Sequence, residues 1–446
     1  MRPLDTRMRR ADAPTAPSCY GRGKMSPRSR GLLGLLLLTL AFAGLAWIGG
    51  LRDHTYAYLA LYGVAAGGYL LALWGQAALP FPAVIVVALV LRALMFPSQP
   101  SLSDDYHRYL WDGRVQQAGI NPYRYAPADP ALDAVSYPDR ALINHPDVQT
   151  IYPPLSEMLF LGLSAVGLGS VAGLKLLLGA FDLATAAVIA RVAGKTRRRT
   201  ALTMYLLHPL VVQEIWGSAH IDAVYVFLML AALLLIMRHR DLLAGVALGA
   251  GAAFKLVPLF LVIPAVLGGR VRPGRFLLGL TAAFLLPYVP YAAGGAFLGS
   301  LSRTDATPEF DSSIFWLLDA VLPYATARYI CVGLYIAGAV WIARAIRGRE
   351  HTAKAFAWTL TWATLLLPVV HPWYWLGPLA LGAAAGLHLP AFLGLAAPAS
   401  YVAYAQMPFR QRTWARLIAY LPLAGARSDL KALTRELTKT KPKAAA

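Results

Sequence analysis

The sequence predicts an all-α, polytopic membrane protein, and three observations carry that prediction. Of 446 residues, 58% are hydrophobic and only 14% are charged. A soluble chain carries about 25% charged residues. The mean hydropathy is +0.53. Apolar runs close to the roughly 20 residues that a spanning helix needs recur along the whole length. The basic residues collect in short connectors between those runs. The runs are continuous rather than alternating, which excludes a β-barrel. Together these features predict one transmembrane domain, residues 31–426, with roughly 11–13 membrane helices.

Residues 1–30 are polar, basic and Pro-rich, the composition of a disordered tail. The apolar run that follows is long and lacks a small-residue cleavage site before the next span, so it reads as a retained first span. The runs Gly31–Gly50, Tyr56–Gly75 and Phe81–Phe96 give three spans. A long polar loop, 98–152, separates the third span from the fourth. Leu155–Gly169 is too short to span and reads as a re-entrant or interfacial helix behind Tyr152-Pro153-Pro154, with Pro fixing its start. Val171–Ala193 and Ile221–Met237 span. Leu242–Leu267 has basic residues at both ends, which predicts two short helices or a re-entrant hairpin with Lys255 near the tip. Arg275–Ala292, Tyr329–Ile346 and Lys354–Val370 complete the series, and 427–446 form a basic tail. The two cysteines, Cys19 and Cys331, support neither a disulfide framework nor a Cys metal site.

A net charge of +19 would suit nucleic acid, but its distribution argues against that partner. Residues 1–31 hold eight Lys/Arg against two acids. Lys195–Arg199, Arg238–Arg240, Arg270–Arg275 and Arg344–Lys354 are short basic connectors, and the tail from Arg427 adds six basic residues. The loop 98–152 carries seven Asp against four Arg. This is the positive-inside pattern, which puts the connectors and both tails in the cytoplasm and the acidic loop outside. Counting three spans from a cytoplasmic N-terminus gives the same answer.

A loop of that length needs a function. It concentrates carboxylates, aromatics and Arg, a mixture suited to gripping a polar, ring-shaped substrate beside a bilayer. If Asp105–Gln116 is helical, then Asp105, Arg108, Asp112 and Gln116 share one stripe, and Arg108 would orient Asp105 and keep it ionised. Asp104 and Asp105 also follow Ser103 at a helix start, where acids complement the macrodipole; capping and chemistry are compatible there. Polar groups at span ends are functional by default. On the same outer face lie His220 and Asp222, the segment Phe310–Phe315, and His371 with Trp373, Tyr374 and Trp375. The plainer readings are a mutual hydrogen bond for His220/Asp222, snorkelling for Lys255, and an aromatic belt for His371 and its neighbours. Trp111, Tyr123 and the late aromatics can equally stack on a sugar face or anchor at the interface. No Gly-rich phosphate loop and no His-Glu-x-x-His helix occurs. Nothing in the spacing demands a metal ion, and no cofactor is implied.

The run Asp105-x-x-Arg108-Tyr109-x-x-x-Gly113, Asn121-Pro122-Tyr123, Tyr152-Pro153-Pro154, His220-x-Asp222 and His371-Pro372-Trp373-Tyr374, in that order, resembles the GT-C superfamily of integral-membrane glycosyltransferases. Within it the chain is most similar to the glycosyltransferase family 87 mannosyltransferases, over about residues 98–380. The resemblance implies transfer of a sugar, mannose by similarity, from a polyprenyl-phosphate donor to a hydroxyl of a glycan or glycolipid acceptor. Transfer would be inverting, in a cell (inner) membrane, on the extracytoplasmic face. It places the general base at Asp105, beside Asp104. The phosphate needs positive charge or strong donors, for which His371, Lys255, Arg124 and His220 are the candidates; Arg108, Asp112, Tyr123, Tyr152, Asp222, Trp373 and Tyr374 would contact substrate. A relative acting on another sugar, or on a pentose such as arabinose, is the alternative. A polytopic transporter is a second, although no internal repeat is visible.

Overall fold

The computed structural model describes residues 25–292, 309–406, 410–425 and 429. The expectations for the N-terminal tail up to residue 24, including Cys19, and for the basic tail apart from Asp429 lie outside the described residues. The protein is all-α. Among the described residues no β-strand forms, and Phe310 and Val369 make one isolated parallel bridge.

Helices α1 (Pro27–Ile48), α2 (Thr55–Gly75), α3 (Phe81–Met95), α4 (Asp105–Gln117), α5 (Pro154–Ala165), α6 (Val171–Val192), α7 (Gly194–Leu206), α8 (Asp222–Met237) and α9 (Asp241–Phe254) run in chain order. Further helices follow to residue 425, among them Tyr324–Ala345 and Thr352–Leu366. Among the described residues, four helices are long and apolar enough to cross a membrane on their own: α1, Thr55–Ala78, α6 and Tyr324–Ala345. The predicted spans Phe81–Phe96 and Ile221–Met237 coincide with shorter apolar helices, and Arg275–Ala292 and Lys354–Val370 overlap the short helices Pro273–Leu285 and Thr352–Leu366. Proline accounts for several of the breaks. Pro273–Leu285, for example, tightens into a 3₁₀ segment, Leu286–Tyr291, that contains Pro290, because Pro cannot donate to the α-helical ladder.

Small residues let helices approach closely, as membrane packing favours. A Cβ on Gly34 of α1 would fall 2.4 Å from the Ala72 backbone nitrogen of α2. Between α3 and α6 the buried pair Arg92–Asp182 closes at 2.7 Å. Trp216 Nε1 donates to the same carboxylate at 2.9 Å, and Arg92 Nη1 donates to Leu206 O at 2.8 Å. A buried charge pair of this kind holds only when its remaining lone pairs and protons are satisfied.

The helix ends sort into two groups. Arg199 donates to the carbonyls of Gln76 and Leu79, and Gly75 packs on Gly31, so the start of α1, the end of α2 and the 195–199 connector share one end. Likewise Arg349 pairs with Asp241 at 2.6 Å, and Arg270 donates to Ile346 O. At the far end of α1, Leu51 N donates to Ser101 Oγ at 2.9 Å, which ties the α1–α2 connection to the start of the acidic loop. That loop and the 195–199 connector therefore sit at opposite ends of α1 and α2.

The loop is folded. Its centre is α4, which packs on α5 because Gly113 admits the Phe160 backbone; a Cβ there would lie 2.5 Å from Phe160 O. Pro154 occupies the first position of α5, as expected of Tyr152-Pro153-Pro154. The chain breaks at Lys255, whose backbone is extended between α9 and the 3₁₀ segment Val257–Leu261, so Leu242–Leu267 takes the two-helix form.

Candidate active site

Helix α4 starts at Asp105 and places both acids of the Asp-Asp pair at its head. Neither carboxylate caps the helix by side-chain hydrogen bonding to its first turn. Asp104 instead pairs with Arg52 of the α1–α2 connection at 2.8 Å. Asp105 Oδ1 accepts from Asn144 Nδ2 at 3.0 Å, and its own N–H goes to Ser103 Oγ at 3.3 Å.

Around Asp105 stand groups drawn from four distant parts of the chain. The Asp105 charge is felt by Tyr109, Tyr152, Lys255, His371, Tyr374 and Tyr404. Lys255 reaches this site by folding back from the α9 break. Its Nζ donates to Asp222 Oδ1 at 2.8 Å and lies 4.7 Å from the Tyr374 ring centroid, a cation–π distance. That is a held cation rather than a snorkelling one. Asp222 pairs with Lys255 and not with His220, so the mutual hydrogen bond that spacing suggests is replaced by a longer-range ion pair.

His371 lies in the connection after helix Thr352–Leu366, stacked between Phe310, at 4.8 Å, and Trp373, at 4.4 Å. Trp373 in turn stacks on His220 at 3.9 Å. Phe310 is fixed by its bridge to Val369. Buried His371 Nδ1 has no hydrogen-bond partner among the described residues, an arrangement that costs stability unless a ligand or water uses it. Burial holds the imidazole below its ordinary value, at about 4, against the attraction of Asp105, and Lys255 and His220 act in the same direction as burial. At neutral pH the ring is therefore an uncharged hydrogen-bonding group. His220 Nδ1 lies 2.9 Å from Glu214 Oε2, but among the described residues neither ring nitrogen is hydrogen-bonded. Proximity, not a formed bond, describes that pair.

The predicted stripe exists, but Arg108 turns away from Asp105. Its Nε donates to both Asp112 oxygens at 3.0 Å, and Nη1 donates to Val148 O at 2.9 Å. The expectation that Arg108 orients Asp105 is corrected accordingly: a second buried carboxylate and a loop carbonyl claim the guanidinium first. Asp112 also meets Glu157 of α5, which accepts from Thr150 at 2.7 Å and Gln116 at 2.8 Å. Burial raises the Asp112 carboxyl above its usual range, opposed by Arg108 and by hydrogen bonds from Thr150 and Glu157. This network locks α4 to α5 and stands beside the site. Tyr123 does the same, donating to Tyr152 O at 2.6 Å. Arg124 is exposed, over the Tyr125 ring at 5.2 Å, and does not join the cluster.

Sequence reasoning missed three contributors, Asn144, Arg52 and Glu214, and named Phe310 only within the segment Phe310–Phe315. Asn144 was visible only as part of an Asn-His-Pro turn. Arg52 is the one Lys or Arg of the short α1–α2 connection. Phe310 had no signal beyond its loop. Glu214 had one: it is an acid within an apolar stretch, lies in a π-helical segment, Val212–Gly217, and accepts from Tyr401 at 3.0 Å. Both features mark functional positions.

The site thus offers a held carboxylate, a cation and an unpartnered imidazole within one aromatic enclosure, at the end of the molecule that carries the acidic loop. No curated protein and no solved structure matches the chain. Residues 42–269, more than half of the sequence and the span that contributes Asp105, Asn144, Asp222 and Lys255, match the family model described as alpha-(1->6)-mannopyranosyltransferase, N-terminal domain, and the chain belongs to that family.

Proposed function

We propose that this membrane mannosyltransferase takes mannose from a polyprenyl-phosphate donor and adds it to a hydroxyl of a glycan or glycolipid on the extracytoplasmic face, with Asp105 as general base. The observation that carries the reading is the convergence of Asp105 with Lys255 and His371. The acceptor hydroxyl loses its proton to Asp105 as its oxygen bonds to the sugar C1. The bond from C1 to the phosphate oxygen breaks, and polyprenyl phosphate leaves with the electron pair. Lys255 supplies positive charge for that phosphate, and His371 supplies a hydrogen bond from a neutral ring. One displacement at C1 inverts the anomeric centre, and no covalent sugar–enzyme intermediate is needed. Trp373, stacked on His371 and His220, walls the site, and the Tyr374 ring holds Lys255.

The test is a donor panel with the purified full-length protein in nanodiscs. Polyprenyl-phosphate mannose, polyprenyl-phosphate arabinose and a nucleotide-activated mannose are each supplied with an α-1,6-mannoside acceptor. Transfer from the lipid-phosphate mannose alone is expected. Transfer from the nucleotide sugar alone would overturn the donor assignment, and transfer of the pentose would redirect it.

A further inference from the structure

The Asp105 neighbourhood has a second part that the donor reading leaves unused. A cavity of about 500 Å³ opens between the α1–α2 connection and the segment Ala397–Ala405, within the range of roughly 300–1,000 Å³ typical of small-ligand clefts. Its lining includes Arg52, Asp53, Tyr56, Tyr404 and Gln406. Tyr404 interacts electrostatically with both Asp104 and Asp105, and Arg52 joins Asp104 at 2.8 Å. The cavity therefore abuts the candidate base. The other clear cleft, about 220 Å³ between α3 and α6, is apolar except for Arg92, which Asp182 already engages.

Charge decides what the first cavity suits. Arg52 is matched by Asp104, and Asp53 lines the same space, so carboxylates outnumber cations and a phosphate would enter an unfavourable field. A lipid tail would bury the Asp53 carboxylate without a partner. What remains is a neutral, hydroxyl-rich ring. Tyr404 and Tyr56 offer apolar ring faces, the Arg52 guanidinium sits 5.1 Å from the Tyr404 centroid, and Arg52, Asp53 and Gln406 supply donors and acceptors for hydroxyls.

We propose, resting on the transferase reading above, that this cavity is the subsite for a sugar unit of the acceptor. The lipid-phosphate donor occupies the separate neighbourhood of Lys255 and His371. Binding here delivers the attacking hydroxyl to Asp105 from the Arg52–Asp104 side, and Arg52 is a positioning residue through Asp104.

The probe is octyl α-1,6-mannobioside, titrated into the full-length protein and used as acceptor with polyprenyl-phosphate mannose. Asp53→Asn, at an exposed position that tolerates change, and Tyr404→Ala are compared with wild type. Both variants are expected to raise the acceptor KM about ten-fold, the scale of one or two lost ligand contacts, with the donor KM unchanged and calorimetric affinity for the probe falling in parallel. Loss of probe binding in the variants upholds the subsite even if the donor panel redirects the donor. Equal probe binding by wild type and both variants, or a rise confined to the donor KM, overturns the subsite while leaving the transferase reading intact. No probe binding by wild type overturns the subsite outright.

Discussion

Asn144 holds Asp105. The amide nitrogen of Asn144, 39 residues further along the loop, donates to the Asp105 carboxylate at 3.0 Å. A base at a helix start is otherwise free to rotate, and the bond from Asn144 aims it. Asn144→Ala is expected to lower kcat about ten-fold, the cost of one lost hydrogen bond to a charged group, with little change in either KM. Steady-state kinetics with each substrate varied would decide. A purely thermal effect, with full kcat at low temperature, would reduce Asn144 to a structural contact.

His371 acts on the donor side. His371→Ala is expected to weaken donor use more than acceptor use, because His371 and Lys255 share the Tyr374 ring, at 5.7 and 4.7 Å, and His371 does not line the Arg52 cavity. The same residue makes stability depend on pH. Its folded value, about 4, is below the ordinary value of about 6.5. The folded protein therefore resists protonation, and the contribution of the neutral ring is intact above about pH 6.5 and is lost as pH falls toward 4. His371→Gln should flatten the thermal-stability profile across that window. An acceptor-selective KM rise in His371→Ala would reassign the residue.

The Arg108–Asp112–Glu157 network carries stability. Removing the partner of a buried charge costs about 3–5 kcal/mol, so Asp112→Ala should lower the thermal midpoint strongly by stranding Arg108. Glu157→Gln, which keeps size and a donor, should be milder. Equal midpoints for wild type and Asp112→Ala would show that the network is dispensable.

The sequence made legible whatever depends on neighbours in the chain. Helix α4, the Pro-defined start of α5, the break at Lys255 and the apolar segments all follow from local period and punctuation. Partner choice was not legible. Arg108 could face Asp105 or Asp112 from one stripe, and the decision came from Val148 and the α5 carboxyl, which meet it only in the fold. The same holds for Asn144 with Asp105, Lys255 with Asp222, and the Phe310–His371–Trp373–His220 stack, each a contact between distant segments with no sequence period to announce it. Glu214 was the exception, since a lone acid in an apolar run was visible and went unused.

Sidedness is tested through Ser136, which lies in the acidic loop. An introduced Ser136→Cys is expected to react with a membrane-impermeant thiol reagent from outside the cell, and a cysteine replacing Lys195 only after permeabilisation. The expectation rests on the charge asymmetry between the loop and the basic connectors at the opposite end of α1 and α2. Labelling of Ser136→Cys from the cytoplasm alone would place the active site on the other face.

The sharpest test separates a base from a carboxylate that only complements the helix start. Asp105→Asn keeps the size of the side chain and caps a helix about as well as Asp; what it cannot do is take up a proton. If Asp105 is the base, transfer should fall by about 100-fold or more, while the thermal midpoint stays close to wild type. Asp104→Asn is the internal control. Its partner is Arg52, so its loss should appear in acceptor use and be milder in kcat. Rates are compared for the two purified variants at matched folded fraction. An active Asp105→Asn with a dead Asp104→Asn would move the base by one residue and make Arg52 its orienting partner. Activity in both would remove the carboxylate pair from the proton transfer and leave the convergence of Lys255 and His371 without a base.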